Sequence, residues 1–100
     1  MMFCVIYQFD VIEGQEADFI KYWTIMTHLI RTYEGGLGSR LHKAEDGKYL
    51  AYAQWPDRVT WENAGEHLPP EAEDVRMGMR KTCADIKTLH TMHVEADLLV

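Results

Sequence analysis

The chain has 100 residues, 47% of them hydrophobic and 11% aromatic, with a formal net charge of −6. That length makes one small domain rather than two, and the apolar fraction excludes a disordered chain. The scattered Lys and Arg and the acidic balance argue against nucleic acid or an acidic membrane surface as partner, because both need a clustered basic face.

The first element is a strand, "FCVIYQFDV" at residues 3 to 11. Phe3, Val5, Tyr7, Phe9 and Val11 fall on one face, with Cys4, Ile6, Gln8 and Asp10 on the other. Glu13-Gly14 ends it. The same opening lacks the basic start and long apolar run of a signal peptide, and no segment is long and apolar enough for a membrane span. Cys4 and Cys83 are the only cysteines and form no C-x-x-C, so they are expected to be free thiols in a reducing cytoplasm, with no metal site.

A helix follows. Phe19, Tyr22, Trp23, Met26, Ile30 and Tyr33 recur at steps of three and four, which makes an apolar stripe. Glu16 and Asp18 suit its positive end and Arg31 its negative end. Gly35-Gly36 stops it, since glycine enters the left-handed conformation without strain.

"LGSRLHKAED" and "GKYLAYAQW" are the second and third strands, joined at Asp46-Gly47, a strong hairpin signal. Asp57 after Pro56 is a good N-cap for a short helix from Arg58 to about Gly65. Pro69-Pro70 opens a further helix from Glu71 to Ile86, with Ala72, Val75, Met79, Cys83 and Ile86 on one side. A fourth strand is expected from about Lys87 to Val94, and a tail from about residue 95.

The order strand, helix, strand, strand, helix, strand is the split βαβ pattern of an α+β, ferredoxin-like sandwich, an antiparallel sheet with helices on one face. Both faces of the first and third strands are apolar, so a second sheet is expected to cover the free face. In a chain this short that sheet comes from a second copy, which predicts a homodimer. Which face carries the helices is left open by this two-sided apolarity.

The runs "VIYQFDVIEGQEADFIKYW" and "EGGLGSRLHKAEDGKYLAYAQWPDR" resemble the antibiotic biosynthesis monooxygenase family of dimeric α/β barrels. The matching features are the glycine-acid turn before the first helix, the Gly-Gly break into the hairpin, and the Trp-Pro close of the third strand. The resemblance covers residues 3 to 94, within a single domain of residues 1 to 100. It implies a cofactor-free monooxygenase that oxidises a small phenolic or quinol-like aromatic with molecular oxygen, needing no metal. Alternatives on the same fold are a non-catalytic module that binds a hydrophobic ligand, and a haem-binding or haem-degrading protein. The haem-degrading branch places an asparagine on the first strand, where this chain has none. Trp61 sits one helical turn before the tryptophan position of that branch.

Such chemistry needs a flat apolar pocket, a base and donors for the anion. Base candidates are His90, placed on one strand face with Ile86, Thr88, Met92 and Val94, and His42, which shares a face with Arg40. Tyr7, centred on the first strand, is the third catalytic candidate, since a buried hydroxyl there needs a partner. Trp55 is the candidate wall, with Tyr52 and Gln54 as a donor pair and Arg40 and Trp23 as further substrate contacts. Trp61 is expected to pack the corner after the third strand.

Overall fold

The computed structural model describes residues 2–99; Met1 and Val100, the two ends of the expected domain span, lie outside them. β1 (Phe3–Val11) leads into α1 (Glu16–Tyr33), then the hairpin of β2 (Gly38–Lys43) and β3 (Tyr49–Trp55). α2 (Arg58–Glu62), α3 (Ala72–Lys81) and β4 (Cys83–His93) complete the chain. The sheet is antiparallel in the order β2-β3-β1-β4 and does not close on itself. This is the ferredoxin-like arrangement, with its helices on one face.

Register settles which face they cover. β1 pairs with β3 through Phe3–Trp55, Val5–Ala53, Tyr7–Ala51 and Phe9–Tyr49. Phe3, Val5, Phe9, Tyr49, Ala51, Ala53 and Trp55 are all buried, so this is the helix-covered face. From α1, Phe19 and Met26 are buried against it while Tyr22, Trp23 and Ile30 are half-buried. Tyr33 is exposed, so the apolar stripe of α1 stops one turn earlier than its spacing suggests. Gly78 lets α3 approach α1 closely. A methyl group there would stand 2.7 Å from the ring of Tyr22.

The turns follow their local chemistry. Gly35 and Gly47 have φ of 76° and 90°, in the left-handed region, at the end of α1 and at the tip of the hairpin. The Asp57 side chain caps α2, accepting from Thr60 N and from Thr60 Oγ1, both at 2.8 Å. That helix ends at Glu62, earlier than expected.

The largest departure lies in the second half. The expected helix from Glu71 to Ile86 ends at Lys81, and the strand begins at Cys83. Cys83 and Ile86 satisfy the helical spacing, yet they pair with Val11 and Phe9 on the free edge of the central strand. Tertiary pairing outweighs local periodicity here. β4 also carries two register shifts, one between the Ile6–His90 and Tyr7–Thr88 pairs. A bulge of this kind adds one residue and turns the following side chains over. Ile86 and Thr88 therefore share the helix-covered face, whereas His90 and Met92 lie on the opposite one. The single face expected for all four does not exist.

The free face carries Ile6, Leu50, Tyr52 and Met92 beside Arg40, His42 and His90. Cys4, also on this face, is buried, and Cys83 is half-buried; both are free thiols. No helix among the described residues is long and apolar enough to cross a membrane.

Candidate active site

Between α1 and the covered face of the sheet lies a cavity of about 190 Å³. Its floor is Tyr7, Phe9, Ala53 and Trp55, and its roof is Trp23, Met26, Thr27 and Ile30 of α1. Met79 of α3 and Ile86 of β4 close one side, and Gly36, Gly38 and Ser39 border the other. The space exists because the residues opposite the last turns of α1 are small. Gly36, Gly38 and Ala53 supply no bulk where Phe9, Phe19 and Tyr49 fill the other end of the core. An apolar void of about 150 Å³ takes up benzene, so this one suits a one- or two-ring aromatic.

Two polar groups on the floor stand out. The Trp61 indole N–H donates to Tyr7 Oη at 2.7 Å. With that acceptor position occupied, the Tyr7 hydroxyl hydrogen is free to be donated elsewhere. Burial pushes the Tyr7 phenol above its ordinary pKa, and the Trp61 bond, which favours the phenolate, offsets part of the rise. Tyr7 is therefore a neutral donor near pH 7, not a base. The second group is Trp55 Nε1, which is buried with no acceptor among the described residues. That N–H is closed off from the cavity as well as from solvent, so Trp55 offers a ligand its ring and not its donor.

Trp61 reaches Tyr7 through a chain of local contacts. The Asp57 cap starts α2, and Trp61 packs on Phe3 with ring centroids 5.5 Å apart. The following loop is fastened to the end of α1 by Glu34. Its buried carboxylate accepts the backbone N–H of Gly65 at 2.5 Å and of His67 at 2.6 Å.

Of the residues singled out from the sequence, the cavity brings together Tyr7, Trp23 and Trp55. Gln54 borders it, yet its amide Nε2 donates to Tyr52 Oη at 3.3 Å on the far face. Tyr52 also meets Cys4 Sγ at 3.1 Å there. Arg40 and His42 are exposed on the same free face, with His42 Nδ1 3.3 Å from Leu50 O. His90 is exposed opposite Ile6. These five polar side chains and the cavity are thus on opposite sides of the sheet. Trp61 packs its corner as expected, and it also holds Tyr7. Reading the sequence missed that second role, and missed Glu34 and Arg31. The one signal for the Trp61–Tyr7 pair was the Asp57 cap, which fixes where the helix starts. Among the described residues no three His, Cys, Asp or Glu stand together as a metal site.

Comparison with known proteins bears on this geometry. A family model described as antibiotic biosynthesis monooxygenase matches residues 2–67. Among solved structures, SnoaB from Streptomyces nogalater, described as a cofactor-independent oxygenase, superposes with a TM-score of 0.78 at 16% identity. It covers 97% of this chain and 96% of its own. Rv0793 from Mycobacterium tuberculosis gives a TM-score of 0.69 at 13% identity, covering 96% and 100%. A search of curated protein sequences returned no match. The structural likenesses establish the shared fold, and the family match spans β1 through the α2 loop, the stretch that supplies most of the cavity floor. The chain belongs to the antibiotic biosynthesis monooxygenase family.

Proposed function

We propose that this protein is a cofactor-independent monooxygenase acting on a small phenolic or quinol-like aromatic inside the cavity under α1. The observation that carries this reading is the pairing of an apolar, ring-sized space with a phenol donor on its floor, Tyr7 Oη–H, whose acceptor position is already taken by Trp61. SnoaB, with the same fold, is described as a cofactor-independent oxygenase, which supports the reaction class.

The residues supply binding and anion stabilisation. Trp23 and Trp55 offer aromatic surface above and below a flat ring, and the apolar lining excludes water. A phenolate or enolate oxygen would accept from Tyr7, which Trp61 already holds in place as charge develops. The substrate proton passes to water at the cavity mouth, and the electron-rich anion then reduces molecular oxygen. For a CH2 centre conjugated with the phenol, one oxygen atom remains on carbon as the carbonyl and the other leaves as water. The substrate provides all four electrons. His42 and His90, on the far face, take no part in this scheme, nor does Arg40 or Tyr52.

We place the second copy of the homodimer on the helix-free face. Ile6, Leu50 and Tyr52 form its apolar surface, and Met92 is 38% exposed there. Sedimentation or light scattering should give twice the chain mass at micromolar concentration, and a monomer would overturn this placement. Free cysteines agree with a cytoplasmic site of action.

Oxygen uptake with a panel of hydroquinones and anthrones tests the reaction. Label from 18O2 should appear once in the product, and Tyr7→Phe should lower kcat by about a hundredfold, as for other single oxyanion donors. The competing reading is a binding module. It is favoured by the lining itself, in which no histidine or carboxylate among the described residues stands ready to accept a proton. Saturable quenching of tryptophan fluorescence without any oxygen uptake would decide for it.

A further inference from the structure

The cavity lining contains one charged residue among the described residues, Arg31 in the last turn of α1. It is also the one lining residue that is exposed; the rest are buried or half-buried. Arg31 therefore marks the mouth. Its side chain reaches across to the start of β2, where a methyl group on Gly38 would stand 3.9 Å from its Cδ and 4.0 Å from its Nε.

Among the described residues the arginine has no carboxylate partner. Lys48, Arg58, Arg76 and Lys87 enter ion pairs, whereas Arg31, like Lys21, Arg40, Lys43, Arg80 and Lys81, enters none among the described residues. What sets Arg31 apart from the other cations without an ion pair is its place over an apolar opening. A favourable interaction with the negative end of α1 accounts for a cation in this turn. It does not account for the side chain lying across β2 at the mouth of the cavity. A neutral aromatic would gain nothing from it. A carboxylate would gain a charge-assisted hydrogen bond, in the bidentate geometry that a guanidinium offers.

We infer that the ligand of this cavity is an aromatic carboxylate, its ring between Trp23 and Trp55 and its carboxylate held at the mouth by Arg31. The inference rests on the reading of the cavity as an aromatic site and adds the ligand's charge and orientation. The reacting oxygen then lies inward at Tyr7, away from the anchored group.

The test compares 2-naphthoate with its neutral methyl ester, titrated into the protein at pH 7 and followed by tryptophan fluorescence. Naphthoate should bind about tenfold more tightly than the ester, and that preference should shrink as salt is raised. In Arg31→Met the ratio of the two affinities should fall to about one, and Arg31→Lys should keep part of it. Equal affinities in the unsubstituted protein, or a preference that survives in Arg31→Met, would overturn the inference while leaving the aromatic site intact. Binding of neither probe would overturn the aromatic site itself, and this inference with it. Circular dichroism of each variant confirms that the exposed substitution has left the fold in place.

Discussion

The two ends of the core are built for different purposes, and Tyr7 stands between them. At one end Phe19 packs between Phe9 and Tyr49, with ring centroids 5.0 and 5.3 Å apart. Residues from β1, α1 and β3 fill this end, and Phe19 and Phe9 are 0% and 4% exposed. Toward the other end Ala53 and Trp55 line the sheet beside Gly36 and Gly38, which leave the space open. One sheet and one helix thus make a solid half that stabilises the fold and a hollow half that can hold a ligand. Tyr7 packs against both clusters, so its hydroxyl sits where the solid core gives way to the cavity.

Truncation on the solid side should do the most damage. Phe19→Ala removes a fully buried ring and should cost about 3–5 kcal/mol of unfolding free energy in urea, with little effect on ligand affinity per folded molecule. Trp23→Ala, on the roof of the hollow side, should cost clearly less stability, because its ring is half-buried and adjoins a space already empty. It should also abolish most of the aromatic binding. Equal stability losses from the two substitutions would break the division of the core.

Glu34 comes next in size. Its side chain is 1% exposed and ties two backbone N–H groups of the α2 loop to the end of α1. Glu34→Ala should cost about 1.5–3 kcal/mol, the range for hydrogen bonds to a charged acceptor. The loop that it fastens carries Trp61, so the hollow side should also respond. Fluorescence of the variant should show a more solvent-exposed tryptophan, and ligand binding should weaken. A variant with the stability loss alone would mean that the Trp61–Tyr7 bond does not depend on this clasp.

How much of this was legible in the sequence follows from which forces are local. Alternation on "FCVIYQFDV" and the Asp-Gly turn at residues 46 and 47 depend on nearest neighbours, and both strands and turn are found where those signals stand. Cys83 and Ile86 satisfy two periods at once, helical from Ala72 and extended from the pairing with β1, and only the free edge of β1 decides between them. The bulge near Leu89 has no local signal at all, and it alone moved His90 to the far face. The cavity depends on what is missing opposite α1. Glycines read as helix stops were also the absence of bulk, which no spacing rule reports. Arg31 was legible as a complement to the helix end, but its reach across Gly38 required the fold.

Gly36→Ala is a smaller perturbation, aimed at the hollow side alone. The added methyl would stand 2.8 Å from Ile30 Cγ2 and 3.6 Å from the Trp55 ring. The Ile30 side chain can swing aside, so the stability change should stay within about 1 kcal/mol. Its way out is the cavity. Ligand affinity should therefore fall several-fold while the melting temperature barely moves. An unchanged affinity would show that ligands do not pack near Gly36.

The finest distinction between the two sides is the protonation of Tyr7. Its phenol is held above the usual pKa of 10.0, first by burial, with the Trp61 hydrogen bond opposing. A raised pKa means that the folded chain keeps this proton more tightly than the unfolded chain does. The stability it contributes is complete below pH 10 and declines as pH rises through the folded-state value, because the unfolded chain ionises first. Urea midpoints measured from pH 8 to pH 11.5 should fall at the alkaline end for the unsubstituted protein, and the fall should be shallower in Tyr7→Phe. Catalysis should share that limit, since a phenolate cannot donate to a substrate anion. If activity is lost instead near neutrality, as a titrating histidine would dictate, then Tyr7 is not the group that controls the hollow side.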